Sequence, residues 1–191
     1  MTHPAPLPED TERLRTGRME LLPLRVEHAE EMAAVLADPD LYGFTGGAPS
    51  TAGALRDRYR RLVAGSPDPA VVWHNRVLRL RADGRLVGTV QATVTGSGTV
   101  AEVAWVVGVP WQRQGLATEA ARGWIDWLAG GGVRTVVAHI HPDHRASAAV
   151  AAACGLAPTE ERQDGEVRWR LTLAPDQGST AYHCRTDLPR T

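Results

Sequence analysis

Apolar positions along this chain switch between two spacings, and the switches predict its elements. A polar, Pro-rich opening runs to about Thr16, and a short strand is expected near Arg18 to Arg25. From there Val26, Ala29, Met32, Ala33 and Leu36 recur at helical spacing until Pro39 ends the run. The Gly-rich loop LYGFTGGAPS, carrying Tyr42 and Phe44, leads to a second helix that begins at Ser50 or Thr51. Leu55, Tyr59, Leu62 and Val63 share one face of it, Arg56, Arg58, Arg60 and Arg61 face solvent, and Gly65, Pro67 and Pro69 close it.

The middle of the chain changes to strand patterning. Val77 to Leu80 leads to the hairpin signal Asp83-Gly84, Leu86 to Val94 leads to the turn Gly96-Ser97-Gly98, and Thr99 to Val109 is a third antiparallel strand. Helical spacing then returns at Ala117, Ala120, Ala121, Trp124, Trp127 and Leu128, and the run Gly130-Gly131-Gly132 ends it. A strand from Thr135 to Ile140, a short Ala-rich helix from about Arg145 to Ala153 and a hairpin around Asp164-Gly165 follow. The predicted order is β-α-α-β-β-β-α-β-α-β-β. Because a helix joins the fourth strand to the fifth, that pair should be parallel in an otherwise antiparallel sheet flanked by helices. Trp105, Trp124, Trp127 and Trp169 read as core residues.

Composition narrows this to one globular α/β domain. With 191 residues, 43% hydrophobic and 23% charged, the chain can bury a real core but is short for two domains. A net charge of −1 offers no field for nucleic acid or an anionic membrane, so neither is expected as a partner. All 21 cationic side chains are arginine, which leaves no lysine to modify. Cys154 and Cys184 show neither metal-ligand spacing nor a disulfide framework, as suits a reducing cytosol. The opening MTHPAPLPED lacks an apolar secretory core and no apolar run has membrane-span length; a soluble, cytoplasmic protein is expected.

The stretch Val107 to Ala121, VGVPWQRQGLATEAA, carries the first chemistry. A strand that breaks at Pro110, turns through Gly115 and restarts as a helix places backbone N–H groups and a positive helix end together, which is an anion cradle. Gln112-x-x-Gly115-x-Ala117 resembles the coenzyme A pyrophosphate loop of the GNAT superfamily of acyl-CoA-dependent N-acyltransferases. A second motif agrees: His144-x-x-Ser147 followed by Cys154-Gly155-Leu156 is similar to that family's Asn-x-x-(Ala/Ser) helix ending in Gly-Phe. The resemblance covers roughly Arg18 to Leu173, and the element order is the one the family uses. It implies a GNAT domain over residues 18–174, between a flexible segment at 1–17 and a tail at 175–191. The loop together with Ser147 looks most like the RimJ/RimL-like branch, which acetylates N-terminal amines of ribosomal proteins and also includes enzymes for small amines and antibiotics.

The resemblance implies acetyl-CoA as cosubstrate, with no metal, and a primary amine, on a small molecule or a protein N-terminus, as acceptor for a monomer or homodimer. It places the coenzyme on Val107, Val109, Gln112, Arg113, Gln114, Gly115, Leu116, Ala117, Thr118, His144 and Ser147. His144 stands where many relatives have Asn, and Leu156 where they have Phe. Ala151 replaces the Tyr that protonates the departing thiolate, leaving Ser147 as the candidate partner of the sulfur; Ser147 also reads as a helix N-cap. Glu102 is the candidate acceptor of the amine proton, since an isolated carboxylate in an apolar strand is costly to bury without purpose; the other reading is a solvent-facing Glu in an alternating strand. An oxyanion would meet a backbone N–H near Val107. Tyr42, Phe44 and Trp73 would line the acceptor side. Attack should be direct, since Cys154 has no base beside it in sequence and is expected at the buried end of the last helix.

Two rivals stand beside this reading. One is a non-catalytic coenzyme A sensor or scaffold of the same fold. The other is a zinc hydrolase, because His139-Ile140-His141-Pro142-Asp143-His144 resembles the zinc signature of metallo-β-lactamase-fold enzymes. Such sites need further ligands downstream, where His183 is the sole histidine, and the end of the fifth strand and the turn after it account for the same residues.

Overall fold

A computed structural model of the chain describes residues 13–173. Its strands are β1 (Leu14–Arg15), β2 (Met19–Pro23), β3 (Val72–Leu80), β4 (Leu86–Thr95), β5 (Val100–Val107), β6 (Thr135–Ile140), β7 (Ala157–Gln163) and β8 (Glu166–Thr172). They form one eight-stranded sheet in the order β1-β2-β3-β4-β5-β6-β8-β7. The helices are α1 (Ala29–Val35), α2 (Ala52–Ala64), α3 (Leu116–Gly130) and α4 (Arg145–Ala153). Every neighbouring pair of strands is antiparallel except β5 and β6. These two are the fourth and fifth strands of the sequence reading, and α3 is the crossover between them. Among the described residues no helix is long and apolar enough to cross a membrane.

Several expected boundaries move: β3 begins at Val72 rather than Val77, β5 ends at Val107 rather than Val109, and the chain start gains a strand. Leu14 and Arg15 pair with Leu21 and Glu20, so the segment expected to be loose through residue 17 joins the sheet as a short edge strand. Residues 1–12 of that segment, and the tail at 175–191, lie outside the described residues. At α2, the Thr51 hydroxyl accepts from the Ala54 N–H at 3.2 Å and makes Thr51, not Ser50, the cap.

The helices divide between the two faces of the sheet. Ala120, Trp124 and Leu128 of α3 and Ala151 of α4 pack on Val90, Ala92, Val103, Val136 and Ala138. On the opposite face, Met32, Leu55 and Tyr59 of α1 and α2 cover Leu22, Val77 and Leu86. Each fully buried Val, Leu or Met among them contributes about 1.5–3 kcal/mol. Because α1 and α2 sit over β2 to β4, the second face is open at β5, where Glu102 and Ala104 are exposed while Ala101 and Val103 are buried.

The parallel seam is short. Val100, Ala101 and Glu102 pair with Thr135, Val136 and Val137, and the pairing stops there. Beyond it each strand stays with its outer neighbour, β5 with β4 as far as Val107 opposite Gly88 and β6 with β8 as far as Ile140 opposite Val167. The outer pairing is tight at Gly88, where a Cβ would lie 2.1 Å from the Val106 carbonyl oxygen. A gap flanked by unpaired strand edges therefore opens in the middle of the sheet.

Candidate active site

The mouth of that gap leads into the cradle. After β5 a single 3-10 turn over Val109–Trp111, set by Pro110, carries the chain to Gly115 at the start of α3. Arg113 and Gly115 hold positive φ angles of 60° and 76°. The first bond of the helix runs from the Glu119 N–H to the Gly115 carbonyl at 3.0 Å. The N–H groups of Leu116, Ala117 and Thr118 consequently have no carbonyl one turn earlier, and the positive end of α3 adds to their pull on an anion. Val107, Val109, Gln112, Arg113, Gln114, Gly115, Leu116, Ala117 and Thr118 all fall at this strand end and turn, but two side chains serve the turn itself. Gln112 Nε2 donates to the Val107 carbonyl at 3.0 Å and Gln114 Nε2 to the Pro110 carbonyl at 3.3 Å. What the turn offers a ligand is backbone.

A brace that the sequence reading missed holds the cradle to the sheet edge. Glu119 accepts from the Thr16 hydroxyl at 2.6 Å, the Arg18 N–H at 2.7 Å and Arg18 Nε at 2.6 Å. Arg18 also donates through a terminal nitrogen to the Gln114 carbonyl at 2.8 Å. In the sequence Glu119 shows only as an acidic residue in the first turn of a helix, where it suits the dipole, and nothing local links it to residues about a hundred positions earlier. Burial alone would raise its pKa, but the hydrogen bonds from Thr16 and Arg18 outweigh that and hold it below the usual 4.5. A depressed carboxylate contributes stability above its unfolded pKa, and the contribution is lost as pH falls through the folded value. Arg18→Ala should therefore weaken coenzyme A binding several-fold at neutral pH. It should also unfold at a higher pH than wild type during acid titration below about pH 5, followed by tryptophan fluorescence.

The other side of the seam presents different chemistry. Trp73, Thr93, Glu102 and Val137 are successive cross-strand partners and so share one face, the one α1 and α2 pack on. His139, two residues beyond Val137, shares it too. Its Nδ1 lies 3.4 Å from Glu102 Oε1, with the Glu102 side chain 57% exposed and that of His139 12% exposed. Glu102 is thus the outward residue of an alternating strand, and the argument from burial is corrected. The surface it looks onto is an open cleft of about 270 Å³, lined by Thr93, Thr95, Glu102, His139, Glu161 and Arg168 among others.

The remaining expected residues divide. Trp73 borders this face, two strands from Glu102. Tyr42 is turned to a structural task, its hydroxyl donating to the Leu36 carbonyl at 3.0 Å at the end of α1. Phe44 reaches the far end of β6, stacking on His144 with ring centres 4.4 Å apart and tilting against His141 at 5.4 Å. His144 is the N-cap of α4, its Nδ1 accepting from the Ser147 N–H at 3.4 Å. Ser147 is therefore not the cap but stands three residues into the helix, half-buried. Desolvation and the neighbouring His141 push the His144 pKa down, and the neutral ring that accepts at Nδ1 keeps Nε2–H as a donor. Ala151 is fully buried. Burial also raises the pKa of Cys154, whose thiol faces the Thr118 carbonyl at 3.9 Å.

The hexapeptide read as a zinc signature is dispersed. His139 faces Glu102, His141 accepts from the Asp143 N–H at 3.2 Å, and His144 caps α4. Among the described residues no three His, Cys, Asp or Glu side chains are grouped to hold a metal ion.

Known structures share this fold. RimL, a ribosomal L7/L12 alpha-N-protein acetyltransferase in complex with coenzyme A, superposes with a TM-score of 0.72 at 14% identity, over 86% of this chain and 100% of that one. The microcin C7 self-immunity acetyltransferase MccE, in complex with acetyl-CoA and AMP, gives 0.70 at 14% identity over 87% and 98%. RimJ of Mycobacterium smegmatis, in complex with a coenzyme A disulfide, gives 0.69 at 19% identity over 84% and 86%. No curated protein matches the chain. The acetyltransferase (GNAT) domain model matches residues 18–157, which contain the gap, the cradle and Glu102, and the chain belongs to the GNAT acetyltransferase family.

Proposed function

We propose that this protein transfers acetyl from acetyl-CoA to a primary amine by direct attack. The observation that carries the reading is the arrangement about the three-pair seam: the cradle belongs to α3, packed on one face of the sheet, and Glu102 stands on the opposite face at the last paired position. Donor and acceptor can then approach one gap from two sides. The coenzyme supplies the activated thioester, its pyrophosphate held by the N–H groups of Leu116 to Thr118 and its arm by the open edge of β5 and the free Nε2–H of His144. Glu102 accepts the proton that makes the amine nucleophilic, and a β5 N–H near Val107 meets the oxyanion. Ser147 is the polar group left to face the departing sulfur. The raised Cys154 pKa keeps that residue a thiol, which supports direct attack over an acetyl-enzyme.

The RimJ/RimL-like loop and the fold shared with RimL and RimJ favour a protein N-terminus as acceptor, and the small-molecule amines that the same branch includes are the other class. The expected compartment is the cytoplasm, as a monomer or homodimer. The burial of Ala151, which leaves no phenol on that turn of α4, is the observation favouring the second reading, a coenzyme A sensor. An acceptor screen separates the two, with N-terminal peptides, polyamines, aminoglycosides and amino acids followed by release of free thiol. Turnover with at least one class is expected. Coenzyme A binding without turnover on any acceptor would favour the sensor.

A further inference from the structure

An ammonium that becomes an amide sheds two protons, and a single carboxylate holds one. The structure places a second proton acceptor at the place where it is needed. His139 and Glu102 come from the two strands of the seam, and both point into the acceptor-side cleft, Nδ1 3.4 Å from Oε1. The imidazole is the sheltered partner, 12% exposed, while the carboxylate beside it is 57% exposed to an arriving amine.

The charges around the ring single out Glu102 as its partner. Directly opposite His139 on β8 is Arg168, but that guanidinium is ion-paired with Glu161 of β7. Thr93 and Thr95 of β4 are uncharged, Arg162 of β7 lines the cleft, and just past the end of β6 His141 accepts from the Asp143 N–H. Glu102 is the carboxylate of this cleft that faces the ring and has no arginine of its own among the described ion pairs.

We propose that His139 works with Glu102 as a carboxylate–imidazole pair that removes and relays the acceptor's protons. This deepens the acetyltransferase reading and rests on it. Glu102 takes the first proton from the ammonium, directly or through one water, and passes it to His139 Nδ1, and the ring delivers it to solvent. The neutral amine attacks the thioester carbonyl, the C–N bond forms and the C–S bond breaks. The amine's second proton then leaves to the regenerated pair, and the thiolate is protonated by Ser147 or water. Proton release to bulk is thereby separated from the carboxylate that meets the substrate.

The test compares wild type, His139→Gln, Glu102→Gln and the double variant, using the best acceptor from the screen across pH 6 to 10, with coenzyme A titrated into each. His139→Gln is expected to lower kcat about ten- to a hundredfold near neutral pH and to recover as pH rises and the amine arrives neutral. KM for acetyl-CoA and coenzyme A affinity should not move. The double variant should be no slower than Glu102→Gln, because the pair acts as a unit. Added imidazole should restore part of the rate to His139→Ala. A wild-type pH–rate profile in His139→Gln would overturn the pairing, as would fully multiplicative losses or a defect confined to coenzyme A affinity. No turnover by wild type would instead overturn the acetyltransferase reading itself.

Discussion

Glu102→Gln is expected to lower turnover by ~10²- to 10⁴-fold while leaving coenzyme A affinity at the wild-type value, the usual loss when a general base is removed. The substitution keeps shape and hydrogen-bonding length but cannot accept a proton. Glu102 is well exposed on the acceptor face, with buried Ala101 and Val103 on either side facing the core, so the change disturbs neither packing nor the α3 cradle. Steady-state kinetics on the best acceptor, beside calorimetric titration of coenzyme A, measures both quantities. Ser147→Ala should lose much less, because water can protonate a thiolate whose pKa is not far above neutral. Equal turnover by Glu102→Gln and wild type would mean that another group takes the proton, and the role assigned to Glu102 would fall.

Gly115→Val should abolish coenzyme A binding in the same titration while the protein stays folded. The reason is conformational. A Cβ at Gly115 would find its nearest neighbour, Arg18, at 3.5 Å, so there is room for a side chain. The backbone is the obstacle, since a φ of 76° is left-handed and costs a β-branched residue about 1–2 kcal/mol. The turn then relaxes by rotating the peptides whose N–H groups form the cradle, and the stability lost is worth only a few degrees of melting temperature. Gly115→Asn is the informative partner, because Asn tolerates this conformation and should keep most of the affinity. Unchanged affinity in the valine variant would remove the pyrophosphate assignment from this turn.

The parts of this fold written in local pattern were legible in the sequence, and the parts made by distant contacts were not. The β-branched run Thr135–Ile140 and the alanine run Arg145–Ala153 were read with their observed ends, and the helix between two strands implied the parallel pair. Leu14–Arg15 has too few residues for any period to show; it is a strand only because Leu21 and Glu20 of β2 pair with it. The cradle was readable because Pro110 and Gly115 dictate backbone geometry by themselves. Its brace was not, because Glu119 also satisfies a first-turn preference and nothing nearby in sequence names Thr16 or Arg18 as its partners. Glu102 was found for its charge in an apolar strand, yet its exposure follows from α1 and α2 covering only part of the sheet. His139 was absorbed into a strand end, and only the cross-strand register brings it to Glu102. For Ser147, a serine near a helix start suggested a cap, but the imidazole of His144 reached the free N–H first.

The brevity of the seam between β5 and β6 has a thermodynamic side. Three rungs stitch the two halves of the sheet, and past them the main-chain donors and acceptors on the facing edges have no partner strand. An extended molecule carrying amide groups of its own, seated in that opening, acts as a surrogate strand and completes the ladder without lengthening the chain. Binding to the folded form alone then raises global stability by linkage, by about 2.7 kcal/mol at a free concentration a hundred times the dissociation constant. With the donor seated there as proposed, the resistance of this protein to unfolding would be shared with its donor molecule, and a change in donor concentration would shift its melting temperature.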